Sequence, residues 1–246
     1  KEFNTKHPNP YNSYGSTYGK HREKLEFKIK DHKILKKFCE KKKIIYSTSV
    51  WDFKSTKEVV KLNPDFIKVG SATNLRFDIL NYLCEKFKGK IHLSLGMTSK
   101  KEEEKIINFF LKKRRSKSLI LYACTSAYPV PIEDTCLLEI ERLKNNYKNE
   151  IHDIGFSGHH HGIAIDIAAY TLGANYIERH FTLNRTWKGT DHAASLEPDG
   201  LRKLKRNLDE TYKALKYKNK SILDIEKSSR KKLKSHFSRT QIFLNK

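Results

Sequence analysis

The densest run of chemically capable side chains is Gly155-Phe156-Ser157-Gly158-His159-His160-His161-Gly162, followed by Ile177-Glu178-Arg179-His180-Phe181-Thr182-Leu183. His159 and His180 are 21 residues apart. On a strand–helix–strand unit that spacing puts both at the ends of adjacent parallel strands, close enough to share a metal ion. Imidazole suits Zn, Mn, Fe or Co, so the spacing does not select the ion. Three successive histidines are also what an exposed polar turn would show. Only one of them can point along the strand axis. His159, at the strand end, is assigned that place, and His160 and His161 are read as loop residues. Asp191 follows within Trp187-Lys188-Gly189-Thr190-Asp191-His192-Ala193-Ala194-Ser195-Leu196-Glu197-Pro198, after the last strand. A carboxylate there can bind sugar hydroxyls or act as a base. A plain turn residue after Gly189 would look the same.

Such side chains need a frame that brings distant segments together. Short apolar runs rich in β-branched and aromatic residues occur at Ile44–Val50, Phe66–Ser71, Lys90–Met97, Ser118–Ser126, Asp153–His159 and Tyr176–Leu183. Longer amphipathic stretches separate them, among them Asp31–Lys42, Ser99–Lys113, Ile132–Tyr147 and Ile163–Leu172. This alternation predicts parallel βαβ units and an α/β fold. Asp31 is expected to cap a helix starting at His32. Ser99 and Glu102 have capping-box spacing. Gly173 sits where a helix C′ glycine belongs. Pro198 opens a last helix over Asp199–Tyr217. Polar residues gather at the C-terminal ends of the six runs, where an α/β barrel assembles its active site. Six strands do not close an eight-stranded barrel, and residues 1–20 read as loop. A barrel would place its first two βα units upstream of Lys1. An open doubly wound sheet is the structural alternative. The expected layout is an N-terminal loop and helix start at 1–30, a partial barrel at 31–217 and a basic extension at 218–246.

The 246 residues carry a net charge of +22, with 37% hydrophobic and 32% charged residues. Thirteen Phe and twelve Tyr argue against disorder. No apolar run spans a bilayer, and no secretory leader opens the sequence. Four cysteines lack zinc-site spacing, which predicts reduced thiols in a cytoplasmic protein. Only eleven of the fifty basic residues are Arg. Arg supplies the bidentate contacts of nucleic-acid readers, so the charge argues against specific nucleic-acid binding. It suits an enzyme acting on anionic substrates equally well.

The two histidine-bearing segments and the Trp187–Pro198 segment together resemble the signature of the sialic acid synthases. These are the phosphoenolpyruvate-condensing enzymes that make N-acetylneuraminate and related nonulosonates. The resemblance runs through Cys124-Thr125-Ser126-Ala127-Tyr128-Pro129, Leu95-Gly96-Met97, Ile67-Lys68-Val69-Gly70-Ser71 and Tyr18-Gly19-Lys20-His21, from about Asn9 to Leu215. The Cys124–Pro129 and Trp187–His192 wording is most similar to animal-type synthases, which use the 6-phosphate of N-acetylmannosamine.

The resemblance implies a (β/α)8 barrel of TIM-barrel type, with about six of its eight units in this chain. It implies Mn2+ or Mg2+ on His159 and His180, polarising the aldehyde of the open-chain sugar. Phosphoenolpyruvate would lie in a cradle of Lys68, Ser71, Ser94, Ser126, Ser157 and Thr48. Tyr128 and Asp191 would face the sugar. Glu178 would support the site, with a structural ion pair as its other reading. Family members also carry an early Glu and a phosphate-binding Lys on two initial strands, and an antifreeze-like domain that reaches across a homodimer. None of these is found between Lys1 and Lys246. Two other functions stay open: a related metal-dependent sugar aldolase or lyase of barrel type, and a non-catalytic basic binding protein.

Overall fold

Helix starts follow local chemistry. In the computed structural model, which describes residues 2–7 and 9–234, the Thr17 hydroxyl accepts from Lys20 N and opens α1 (Tyr18–Leu25). This helix thus begins inside the 1–20 stretch expected to be loop. α2 (Ile29–Lys41) starts three residues before His32. Asp31 is not its cap but lies in its first turn, where the carboxylate accepts from Lys28 N at 3.0 Å. β1 (Ser47–Val50) is shorter than the apolar run predicts. Its partner offers only four residues of ladder, and Ile44 and Ile45 stay exposed.

The remaining elements alternate as expected as far as the last strand. They are α3 (Phe53–Leu62), β2 (Phe66–Val69), α4 (Phe77–Lys86), β3 (Lys90–Ser94), α5 (Lys100–Lys112) and β4 (Leu119–Cys124), then α6 (Leu138–Tyr147), β5 (Asp153–Gly158), α7 (Ala164–Thr171), β6 (Tyr176–Arg179), α8 (Pro198–Ala214) and α9 (Glu226–Lys234). After β6 two helices follow with no strand between them, α8 ending at Ala214 rather than Tyr217 and α9 lying beyond the helix expected to be last. Ser99 and Glu102 form the capping box of α5. Gly173 follows α7 at φ +102, a conformation that glycine adopts without steric cost. The helix expected over Ile132–Tyr147 breaks in two, because Cys136 is left-handed at φ 52. The last strand stops at Arg179, although Phe181 still bridges Leu196.

All six strands are parallel and pair in sequence order, β1 through β6. That order lacks the reversal a doubly wound sheet requires. Alternation then sorts the side chains. Ile67, Val69, Ile91, Leu93, Leu119, Leu121, Ile154 and Phe156 join one buried core with the helices. Lys68, His92, Ser94, Tyr122, Ser157 and Glu178 take the other face. On a flat sheet β2 and β6 would be roughly 19 Å apart. Yet Lys68 Nζ of β2 lies 3.1 Å from Glu178 Oε1 of β6, so the sheet is strongly curled and its polar face is concave.

By internal contacts the chain divides into residues 1–208, which hold the whole sheet, and residues 209–246. The second unit contains the end of α8 and the exposed α9. There Asp224 pairs with Lys220 at 2.8 Å and with Lys227 at 2.7 Å. Residues 235–246 of the expected basic extension lie outside the described residues. All four cysteines are free. Among the described residues no helix is long and apolar enough to cross a membrane.

His92 makes the concave face sensitive to acid. It is 1% exposed, stacked 3.9 Å from the Phe66 ring, and hydrogen-bonded to the Tyr122 hydroxyl at 2.7 Å. Burial, and then the Lys68 ammonium, bring its pKa down to about 4. The folded imidazole is therefore neutral across a range in which the unfolded chain, at its ordinary 6.5, takes up a proton. Stability is fully present above that value and is lost as pH falls towards 4. In His92→Gln, the drop in unfolding free energy between pH 7 and pH 4.5 should shrink by about 2 kcal/mol. Urea titrations at the two pH values measure it, and an unchanged drop would contradict the assignment.

Candidate functional site

A cavity of about 560 Å³ opens at the C-terminal ends of the strands. Its floor is polar because Lys68 stands between two apolar neighbours that face the helices, so its ammonium must enter the cavity. There it donates to Ser94 Oγ at 2.7 Å, meets Glu178 Oε1 at 3.1 Å, and lies 5.0 Å from the centre of the Tyr122 ring. Ser157 Oγ donates to the same carboxylate oxygen at 2.8 Å. Burial alone would raise the Glu178 pKa. The Lys68 charge and the Ser157 and Lys68 hydrogen bonds more than offset it, and the carboxyl sits below its ordinary value. Its 38% exposure is to the cavity.

Above the floor, Ser71 and Ser126 line the wall beside Cys124. Gly96 lets them approach. A Cβ there would lie 2.1 Å from Ser126 Oγ and 2.7 Å from Ser71 Oγ. The expected cradle therefore converges with one exception. Thr48 lies outside the cavity and lines a smaller neighbouring one. In register it pairs with Ile67, a core position, whereas Ser49 pairs with Lys68 and lines the cavity. One residue of register moves a side chain to the opposite face.

His159 and His180 lie together at the rim, ring centres 5.1 Å apart. Tyr128 packs against both, at 4.4 and 5.6 Å. Burial, and then the neighbouring His180, bring the His159 pKa down to about 4. His159 Nδ1 lies 3.2 Å from the Thr125 carbonyl, a bond that requires Nδ1–H and leaves the Nε2 lone pair free. Asp191 Oδ2 is 3.9 Å from His180 Nδ1. Burial pushes the half-exposed Tyr128 phenol up to about 12, so it stays a neutral hydroxyl.

A hydroxyl-lined cation beside two imidazoles can hold an anion next to an electrophilic carbonyl. For a divalent ion the chain offers an oriented imidazole pair. Among the described residues no three His, Cys, Asp or Glu side chains form a metal cluster. The two histidines fit such an ion only if substrate or water completes its shell.

Three further features were not foreseen. His160 lies in the loop after β5, as expected, but it is completely buried rather than exposed. His7 and His21 are buried against each other, ring centres 4.5 Å apart, and line the cavity mouth. Tyr14 N donates to His21 Nδ1, which places the His21 proton on Nε2. The Tyr14 hydroxyl donates to the Lys188 carbonyl, tying this segment to the Asp191 loop.

A family model described as the NeuB family matches residues 1–220. The chain is 36% identical over 223 residues to the N-acetylneuraminate-9-phosphate synthase of Homo sapiens, covering 90% of this chain and 60% of that protein. It is 35% identical over 196 residues to the N,N'-diacetyllegionaminic acid synthase of Campylobacter jejuni, covering 78% and 57%. The chain thus spans about 60% of the length of these curated relatives. A solved N-acetylneuraminic acid (sialic acid) synthetase from Leptospira borgpetersenii matches with a TM-score of 0.77 at 28% identity, over 90% of this chain and 78% of that one. A truncated 3-deoxy-D-arabino-heptulosonate 7-phosphate synthase from Thermotoga maritima, at 17% identity and a TM-score of 0.66, shares the fold alone.

Proposed function

The chain belongs to the NeuB family, and from that premise we propose that it condenses phosphoenolpyruvate with N-acetylmannosamine or its 6-phosphate, giving a nonulosonate and inorganic phosphate. The curated relatives named for nonulosonate synthesis support the reaction class. The observation that carries the reading is the Lys68 ammonium, buried among Ser94, Glu178 and Tyr122, on the floor of the cavity that holds the imidazole pair.

C3 of phosphoenolpyruvate attacks the aldehyde carbon of the open-chain sugar. A carbon–carbon bond forms, and C2 is left cationic. Water adds to C2, and one of its protons goes to the alkoxide left on the former aldehyde carbon. The bond from C2 to the phosphate oxygen then breaks, so phosphate leaves and a ketone remains. Lys68, with Ser71, Ser94, Ser126 and Ser157, is read as the cradle for the phosphate and carboxylate. Ser49 takes the place first given to Thr48. Glu178 neutralises Lys68 when the cradle is empty and keeps its ammonium aimed at the anion. Tyr128 and Asp191 are read as contacts to the sugar, on the rim they share with the histidines.

His159 and His180 would hold a divalent ion, Mn2+ or Mg2+. When bound, such an ion supplies Lewis-acid polarisation of the aldehyde. The six βα units are read as part of a (β/α)8 barrel with its site at the customary strand ends. The free thiols support a reducing, cytoplasmic setting, and the homodimer implied by the resemblance belongs to the same reading.

The test is incubation with phosphoenolpyruvate, Mn2+ and either sugar. One phosphate per nonulosonate formed, and none without sugar, is the expected result. Phosphate release indifferent to sugar would overturn the reading.

A further inference from the structure

We propose that Arg179 is a positioning residue that fixes the separation of the His159 and His180 imidazoles. The proposal rests on the reading of those two side chains as the working pair of the cavity. Arg179 stands between Glu178 and His180 in sequence. Because side chains alternate along β6, it points away from the cavity, into the helix layer.

There its guanidinium, 3% exposed, donates to Asp166 Oδ2 at 2.5 Å, to the Gly162 carbonyl at 2.8 Å and to the His160 carbonyl at 2.6 Å. Its Nη1 also lies 3.1 Å from His160 Nε2. Asp166 stands in the first turn of α7, and its carboxylate is fully buried. The His160 carbonyl belongs to the residue next to His159. One planar group on β6, beside His180, therefore grips the segment after β5 one residue from His159.

Stability alone explains this knot poorly. Arg179 Nε, Asp166 Oδ1 and His160 Nδ1 are buried with no hydrogen-bond partner. A buried ion pair of this kind is often no more stable than apolar residues of the same volume. What an apolar plug cannot do is fix direction. A guanidinium fork defines several donor directions at once, and a lysine ammonium does not reproduce them.

The test uses the 246-residue chain with 13C-labelled histidine, comparing wild type with Arg179→Lys and Arg179→Met. Without metal, the wild type should show cross-relaxation between the His159 and His180 rings, as their 5.1 Å spacing requires. Both variants should lose it while keeping a cooperative melt. Mn2+ affinity, read from the free-ion electron paramagnetic resonance signal, should fall about 10- to 100-fold, the usual effect of removing an outer support.

A merely structural Arg179 would lower the melting temperature but leave the ring contact and the Mn2+ affinity as in wild type, which would overturn the proposal. Wild-type chain that shows the ring contact but binds no Mn2+ would overturn the metal reading alone. Should both Arg179 variants fail to fold, Asp166→Asn keeps the shape and removes the anchoring charge. It is then expected to weaken the ring contact, and an unaltered contact would count against the proposal.

Discussion

Lys68→Met should raise the phosphoenolpyruvate KM about 100- to 1,000-fold while the sugar KM stays within a few-fold, as expected when one partner of a buried charge pair is truncated. Lys68 is 7% exposed, and only to the cavity. Ser94, Glu178 and the Tyr122 face are its surroundings, and of these only Glu178 carries a countercharge. An incoming phosphate would bring the second. Stability should respond differently. Removing the ammonium leaves Glu178 facing Ser157 without its cation, at a cost of about 2 kcal/mol. That is below the value for a fully dry pair, because Glu178 keeps cavity solvent. In Lys68→Met/Glu178→Gln much of that stability should return, and phosphoenolpyruvate binding should not. Steady-state kinetics and urea unfolding of the two variants separate the roles. Equal rises in both KM values would reduce Lys68 to a structural residue.

His180→Ala should lower kcat at least 1,000-fold and abolish saturable Mn2+ binding, with a melting temperature within a few degrees of wild type. The ring projects into the cavity rather than into the packed layer between sheet and helices, and its side chain is 36% exposed. His159→Ala should do the same to turnover with a larger loss of stability, because His159 is buried against Tyr128. Calorimetric Mn2+ titration and single-turnover assays check both. Full activity in either variant would remove the imidazole pair from the mechanism.

Much of this site was legible before any coordinates, because its residues sit where the pattern changes from strand to loop. Ser99 with Glu102 and Gly173 marked helix ends by chemistry that needs only neighbours in sequence. Parity was harder. Ser47, Thr48 and Ser49 are all small and polar, so composition cannot say which faces the cavity. The answer lies in the pairing of Ser49 with Lys68, whose own parity is plain from Ile67 and Val69. Carrying that parity across the ladder would have selected Ser49. The burial of His160 was hidden for a different reason. Its partner Arg179 is 19 residues away, and three adjacent histidines look like a polar turn. The signal was Asp166, a charge within the otherwise apolar Ile163–Leu172 stretch, which needed a buried cation. The short β1 and the full helix at Tyr18–Leu25 depended on ladder length and on a threonine cap rather than on apolar periodicity.

The most direct test follows the oxygen that bridges C2 and phosphorus in phosphoenolpyruvate. With 18O in that bridge, attack of water at C2 and rupture of the C2–O bond must send the label out with inorganic phosphate. The account predicts labelled phosphate in one-to-one yield with nonulosonate, dependent on the sugar and absent in His180→Ala. Label retained in the organic product, with unlabelled phosphate released by rupture of the O–P bond, would contradict it.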